Sequence, residues 1–161
     1  MSVTVRLADL SSAAERELLV ALTDVYARDP MGGGAPLPAD TRARLADALL
    51  QYADRLFVLV AEEDGQAVGH ALCVEGFSSF KAAGTCNLHD LSVAPRARGQ
   101  GVGRRLLAAA EAEAARRGLC RVTLEVRPDN ETGRALYASA GFEPAALGGQ
   151  AYLMMEKPLT G

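Results

Sequence analysis

The sequence predicts an α/β (α+β) domain with a mixed central sheet of about six to seven strands and about four flanking helices. Three observations carry that reading. Segments of strand-like and helical periodicity follow one another in the order β-α-α-β-β-β-α-β-α-β. From Cys86 to Arg127 a strand, a Gly-rich loop, a long helix and another strand succeed each other, which predicts a parallel pair joined by a right-handed crossover. Asp64-Gly65 between two apolar runs predicts an antiparallel hairpin.

Each element has its own justification. Val3 to Ala8 alternates as a strand does. Ser12-x-x-Glu15 reads as a capping box, and behind it Leu18, Leu22, Val25 and Tyr26 recur at helical spacing. That helix should end near Arg28, because Pro30 disfavours helix at Asp29. Met31 to Pro38 is a loop, and Asp40 is expected to cap a second helix carrying Leu45, Leu49 and Tyr52. Leu56 to Glu62 and Ala67 to Glu75 are the hairpin strands, and Cys86 to Val93 is a further strand stopped by Pro95. Val102, Leu106, Ala110 and Ala114 mark one face of a helix running to Arg117, with Gly118 as its C′ residue. Leu119 to Arg127 reads as a strand, Glu131 to Ala140 as a short helix closed by Gly141, and Ala151 to Lys157 as the last strand.

The chain has 161 residues, which fits one domain over 1–161. Hydrophobic residues are 49% and charged residues 23%, a globular balance. A net charge of −3 gives no reason to expect nucleic acid as a partner. Apolar runs are too short to span a bilayer and the first residues lack a signal-peptide pattern, so the expectation is a cytoplasmic protein without membrane partner. Cys73, Cys86 and Cys120 show no C-x-x-C spacing and there are two histidines, so no metal site is expected; all three thiols are read as reduced and core or half-buried.

The chemistry concentrates where a strand runs into Arg98-Gly99-Gln100-Gly101-Val102-Gly103 and then a helix. Backbone N–H groups at a helix start have no intrahelical partner and face the positive end of the dipole, which makes an anion site. Arg96, Arg98, Arg104 and Arg105 add positive charge in a chain that is net negative. Neither G-x-x-x-x-G-K-[ST] nor G-x-G-x-x-G is present. The loop alone therefore says anion, or a tight turn with a solvated basic face.

Three motifs in order narrow this: LHDLSVAPRARGQGVGRRLL, TLEVRPDN and ALYASAGF. Together they resemble the GNAT (Gcn5-related N-acetyltransferase) superfamily, whose R-x-x-G-x-G/A signature is met by Arg98, Gly101 and Gly103. The resemblance follows the whole element order and is sharpest from Asn87 to Phe142. It implies the GNAT acyl-CoA N-acyltransferase fold and acetyl-CoA as donor, with no metal. It further implies that the backbone from Arg98 to Arg104 holds the pyrophosphate, that Leu91, Ser92 and Val93 pair with the pantetheine arm between two splayed strands, and that Asn130 reaches that arm. Asn130 also reads as a helix N-cap.

By the same resemblance the acyl group passes directly to an amine. The ammonium must first lose a proton, the developing oxyanion needs a donor near Leu91 to Val93, and the departing thiolate benefits from an acid. Tyr137 matches the family's Tyr and is the candidate acid; the small residue three after Asn130 is Gly133 where the family has Ala. Three residues compete as base. His89 matches the second His of an H-x-H strand in arylalkylamine relatives. Glu125 stands twelve residues before Tyr137, as the catalytic Glu does in ribosomal-protein alanine acetyltransferases. Asp90 is the third. Asn87 stands where histone-type relatives carry their glutamate, and His70 reads as packing.

The acceptor should approach from the face opposite the cofactor. Tyr26, Met31, Gly33, Phe77 and Phe80 are candidates to line its pocket, and Glu75 to attract a cationic amine. The run Gly32-Gly33-Gly34 suggests either a mobile lid or a plain connector. Three functions stay open: a small-molecule amine acetyltransferase acting on an aminoglycoside-like or polyamine-like cation, a protein or peptide N-acetyltransferase, and a catalytically silent CoA-binding regulatory module. Family members often form homodimers through late strands, and apolar Ala151 to Met155 suits either that or core.

Overall fold

A computed structural model describes residues 2–160. Contacts divide the chain into two compact units, Met1–Leu124 and Glu125–Gly161. The first holds β1 (Val3–Leu7), α1 (Ala13–Arg28), α2 (Ala39–Gln51), β2 (Leu56–Glu63), β3 (Gln66–Ser78), β4 (Ala83–Val93), α3 (Val102–Arg116) and β5 (Val122–Leu124). The second holds α4 (Glu131–Ser139), β6 (Ala146–Leu147) and β7 (Gln150–Ala151).

One five-stranded sheet runs β1-β2-β3-β4-β5. Its first three ladders are antiparallel and β4–β5 is parallel, as the crossover predicts. Asp64 and Gly65, both at positive φ (52° and 78°), turn β2 into β3. One sheet face buries Val58 and Val60 with Leu19 of α1 and Leu49 of α2; Leu22, Leu45 and Leu72 pack around them. The other face takes α3, whose Val102, Leu106, Ala110 and Ala114 are all buried. Gly69 admits that helix: a Cβ there would lie 3.2 Å from Leu106 Cδ1 and 2.5 Å from the Ser92 carbonyl.

Several local expectations change. Leu19, Val20 and Asp24 are the buried residues of α1, while Val25 is exposed. The stretch LLVAL is apolar all round, so periodicity alone does not choose its inner face. Ser12 does cap α1, accepting from the Glu15 amide at 3.3 Å, but the Glu15 carboxylate turns to Arg6 (2.6 Å) instead of completing the box. Asp40 lies inside the first turn of α2 and pairs with Arg44; Pro38 is the N-cap residue and offers no side-chain bond. Cys73 and Cys86 are buried, but Cys120, just before β5, is exposed.

The sheet is also smaller than the six to seven strands expected. β5 spans Val122–Leu124, not Leu119 to Arg127. The last segment forms a two-stranded hairpin, β6–β7, in place of a strand from Ala151 to Lys157. The Tyr152 amide still reaches the Ala145 carbonyl at 3.1 Å, one position beyond the hairpin strands. Leu153, Met154 and Met155 continue as exposed, irregular chain.

Candidate functional site

One end of the first unit, after β4, is built by backbone. After β4 a single 3-10 turn, Pro95–Ala97, delivers the chain to Arg98. Gly99 (φ 74°) and Gly101 (φ 78°) then take left-handed conformations, and a Cβ at either would meet nothing within 4 Å. Gly101 is the N-cap residue of α3 and supplies no side-chain cap. Among the described residues the amides of Gly99 to Gly103 find no backbone acceptor, whereas that of Arg105 closes the first helical bond onto the Gly101 carbonyl at 3.1 Å. Consecutive outward amides, open space and a helix start make a nest for a bulky anion.

Arg98 differs from the rest of the predicted pyrophosphate loop. Its amide turns back to the Pro95 carbonyl (3.4 Å), which closes the 3-10 turn. Its Nε donates to the Val93 carbonyl at 3.0 Å and its terminal nitrogen to Asp29 at 2.6 Å. The nest therefore starts at Gly99. Within the arginine cluster, Arg96 is offset by Glu63 (3.4 Å), and Arg105 keeps its charge while donating to the Val3 carbonyl (2.8 Å).

Upstream, β4 is bent by a bulge. Cys73 pairs with Leu88 and Leu72 with Asp90, so His89 is an extra residue with no partner in the β3 register. The insertion puts Leu91 and Val93, opposite Ala71 and Gly69, on the α3 face, and Asp90 and Ser92, opposite Leu72 and His70, on the α1–α2 face. The parallel ladder with β5 ends at Leu88–Leu124, immediately before the bulge. From Leu91 to Val93, β4 is laddered to β3 only.

The α1–α2 face gathers polar groups around the bulge. Asp90 is partly buried, and burial pushes its carboxyl above the ordinary carboxylate range, with the nearby His89 opposing that shift. Tyr26, from the last turn of α1, feels Asp90 and Asp29; burial first, then those two negative charges, raise its phenol. His70 is 1% exposed, and burial lowers it to about 4, so it is a neutral imidazole; its packing role is as expected. His89 itself is exposed.

The 31–38 loop is tied down at several points. The Asp29 carboxylate accepts from the Met31 amide (2.9 Å), and its carbonyl from Gly32 (2.8 Å) and Gly34 (2.9 Å). Asp24, buried, accepts from the Leu37 amide (2.9 Å) and from Arg28 and Arg42 (3.0 Å each). Close approach accounts for the first glycine of the run and backbone conformation for the other two. A Cβ on Gly32 would sit 1.9 Å from the Tyr26 carbonyl, and Gly33 and Gly34 have φ of 127° and 76°.

Three of the acceptor candidates are not brought together with Tyr26 and Met31. Glu75 is paired with Arg117 at 2.8 Å and lies on the α3 face. Phe77, opposite Gly84, and Phe80, beyond it in the β3–β4 turn, stand exposed at the far end of that hairpin. The six residues from Gly84 to Asp90 span about 20 Å of strand.

Within the second unit, Asn130 caps α4: its Oδ1 accepts from the Gly133 amide at 2.9 Å. The glycine at 133 follows from this cap, since a Cβ there would lie 2.6 Å from Asn130 Nδ2. Tyr137 is half-buried, meets the Phe142 ring edge-on at 6.0 Å, and accepts from the Phe142 amide at 3.0 Å through its carbonyl. Glu125 is exposed and lies just past the end of β5. Sequence reasoning missed Asp29 and the turned guanidinium of Arg98, because the two are 69 positions apart and only the folded chain joins them.

The chain is 38% identical over 86 residues to the uncharacterized N-acetyltransferase YhfO of Bacillus subtilis (strain 168), a match covering 53% of this chain and 58% of that protein. It is 31% identical over 140 residues to a mycothiol acetyltransferase of Beutenbergia cavernae, covering 87% of this chain and 45% of the relative. The chain thus spans about half the length of these relatives. Among solved structures, the aminoglycoside N-acetyltransferase AAC(6')-Iy in complex with CoA superposes with a TM-score of 0.73, covering 99% of this chain and 96% of that one at 21% identity, a likeness of fold. The model of the Acetyltransferase (GNAT) family matches residues 19–142, which include the bulged strand, the amide nest, Asn130 and Tyr137, and the chain belongs to that family.

Proposed function

We propose that this chain transfers an acetyl group from acetyl-CoA to a primary amine. The single observation that carries the reading is the amide nest from Gly99 to Gly103, next in the chain to a β4 end that is laddered to β3 only. Acetyl-CoA fits on physical grounds. Gly99 and Gly101 leave the space a pyrophosphate needs, and an extended amide-bearing arm can pair with an unladdered strand edge as an added strand would.

When bound, acetyl-CoA supplies the activated acyl group; the chain supplies binding, orientation and proton handling. The amides of Gly99, Gln100, Gly101, Val102, Gly103 and Arg104 hold the pyrophosphate, and Leu91, Ser92 and Val93 present the edge for the pantetheine. Asn130 adds to that arm while capping α4. Asp90 takes the amine proton: its desolvated carboxyl is a better base than an exposed one and sits beside Tyr26 on the α1 side. His89 and Glu125 are the competing bases. Tyr137 returns a proton to the departing thiolate. Tyr26, Met31 and Gly33 border the amine.

The test pairs binding with turnover. Acetyl-CoA should raise the melting temperature and NADH should not; no shift at saturating acetyl-CoA would end this reading. A panel of aminoglycosides, polyamines and peptide N-termini, scored by CoA release, then identifies the acceptor class. Tyr137→Phe should slow turnover by about 10²–10⁴-fold, the usual share of general acid catalysis, with CoA affinity near that of the parent.

A further inference from the structure

Asp29 and Arg98 join two loops that the sequence keeps far apart. Asp29 ends α1 and organises the 31–37 segment through the amides of Met31, Gly32 and Gly34. The same carboxylate holds Arg98 at 2.6 Å, and Arg98 is fixed a second time, through Nε, on the Val93 carbonyl at 3.0 Å. Arg98 directly precedes Gly99, where the nest begins.

An exposed ion pair alone would mean little. This one has a mostly buried carboxylate (19% exposed) and a planar fork engaged at two points, a geometry that fixes direction as well as charge. The direction of the nest amides depends on the dihedral angles from Arg98 onward, so a held Arg98 sets where the nest points. The Met31 amide and then the Arg98 guanidinium hold the Asp29 carboxyl below its ordinary range, against the opposing effect of burial.

We propose that Asp29 is a positioning residue of the donor site, coupling the amide nest to the 31–37 loop through Arg98, so that anion binding at the nest and ordering of that loop favour each other. The proposal rests on the nest being the CoA pyrophosphate site. It makes the acceptor-side loop sense the donor before any acceptor arrives, which is a thermodynamic coupling and therefore reciprocal.

The experiment is hydrogen exchange by mass spectrometry on the full chain with and without saturating CoA, for the parent, Asp29→Asn and Arg98→Lys. In the parent, CoA should slow exchange both at 99–104 and at 31–37. In Asp29→Asn, CoA should still slow 99–104, with affinity reduced about tenfold, while 31–37 no longer responds. Arg98→Lys keeps a charge for Asp29 but loses the Nε bond to Val93, and should show the same uncoupling; it serves alone if Asp29→Asn does not fold. The double variant should bind CoA no more weakly than the weaker single. Slowing confined to 99–104 in the parent, or an unchanged 31–37 response in both single variants, overturns the proposal. If CoA leaves 99–104 of the parent unaffected, the donor-site reading falls, and this coupling with it, by a visibly different result.

Discussion

His70 gives the sharpest prediction about this fold. Its ring is buried on the α1–α2 face of β3, opposite Ser92 on one side and Val60 on the other. Burial lowers its folded pKa to about 4 from 6.5. The unfolded chain therefore binds a proton between those values that the folded chain refuses. Stability is fully present above pH 6.5 and is lost as pH falls toward 4. By pH 5 the loss from this residue is about 2 kcal/mol, at 1.36 kcal/mol for each pKa unit of linkage. Glu113, held near 2 by Arg116, loses its contribution only below the ordinary carboxylate range, and Asp90, raised by burial, acts in the opposite sense to His70. Comparison with His70→Leu cancels both. Urea unfolding at pH 7.5 and pH 5 should show the parent's midpoint falling by about 1 M more than the variant's, given urea m-values of roughly 1–3 kcal/mol/M. Equal pH dependence in the two proteins would refute the claim that His70 is folded as a neutral, desolvated imidazole.

Other tests follow from packing and chemistry. Leu106→Ala removes a fully buried side chain from the α3 face and should cost about 2–5 kcal/mol in denaturant unfolding, without altering which ligands bind. Gly32→Ala puts a Cβ 1.9 Å from the Tyr26 carbonyl; the chain must leave its present path, and a thermal melt should register a loss of about 1–3 kcal/mol. Among Asp90→Asn, His89→Ala and Glu125→Gln, the first should abolish the rise of turnover with pH and lower the plateau rate. If only His89→Ala or only Glu125→Gln does so, the base is that residue.

The sequence carried the local features well and the register poorly. α3 was legible because its four apolar positions repeat once per turn and Gly118, at φ 74°, ends it. The nest was legible because only glycine is at ease at φ 74° and 78°. The bulge was not, since one residue inserted at His89 leaves no compositional trace and is decided by pairing with β3. Nor was the hairpin β6–β7: the run after Ala151 has the composition of a strand, but its pairing is decided by other parts of the chain. Glu75 looked available from sequence because Arg117, its partner on another element, is 42 positions away. Local chemistry is written in neighbours; pairing across the sheet is not.

The bulge at His89 has a consequence for how this strand tolerates change. Side chains on a strand alternate, so the faces taken by Asp90 through Val93 depend on whether the count of residues before them is odd or even. An unbroken ladder that kept every residue, with His89 opposite Leu72, would exchange the two faces: Asp90 would press against α3, and Leu91 would turn toward Tyr26. Deleting His89 would instead remove the bulge and leave Leu88 opposite Cys73 and Asp90 opposite Leu72, each on its present face. The faces of the strand end are thus set by the pairing with β3, whatever side chain stands at 89.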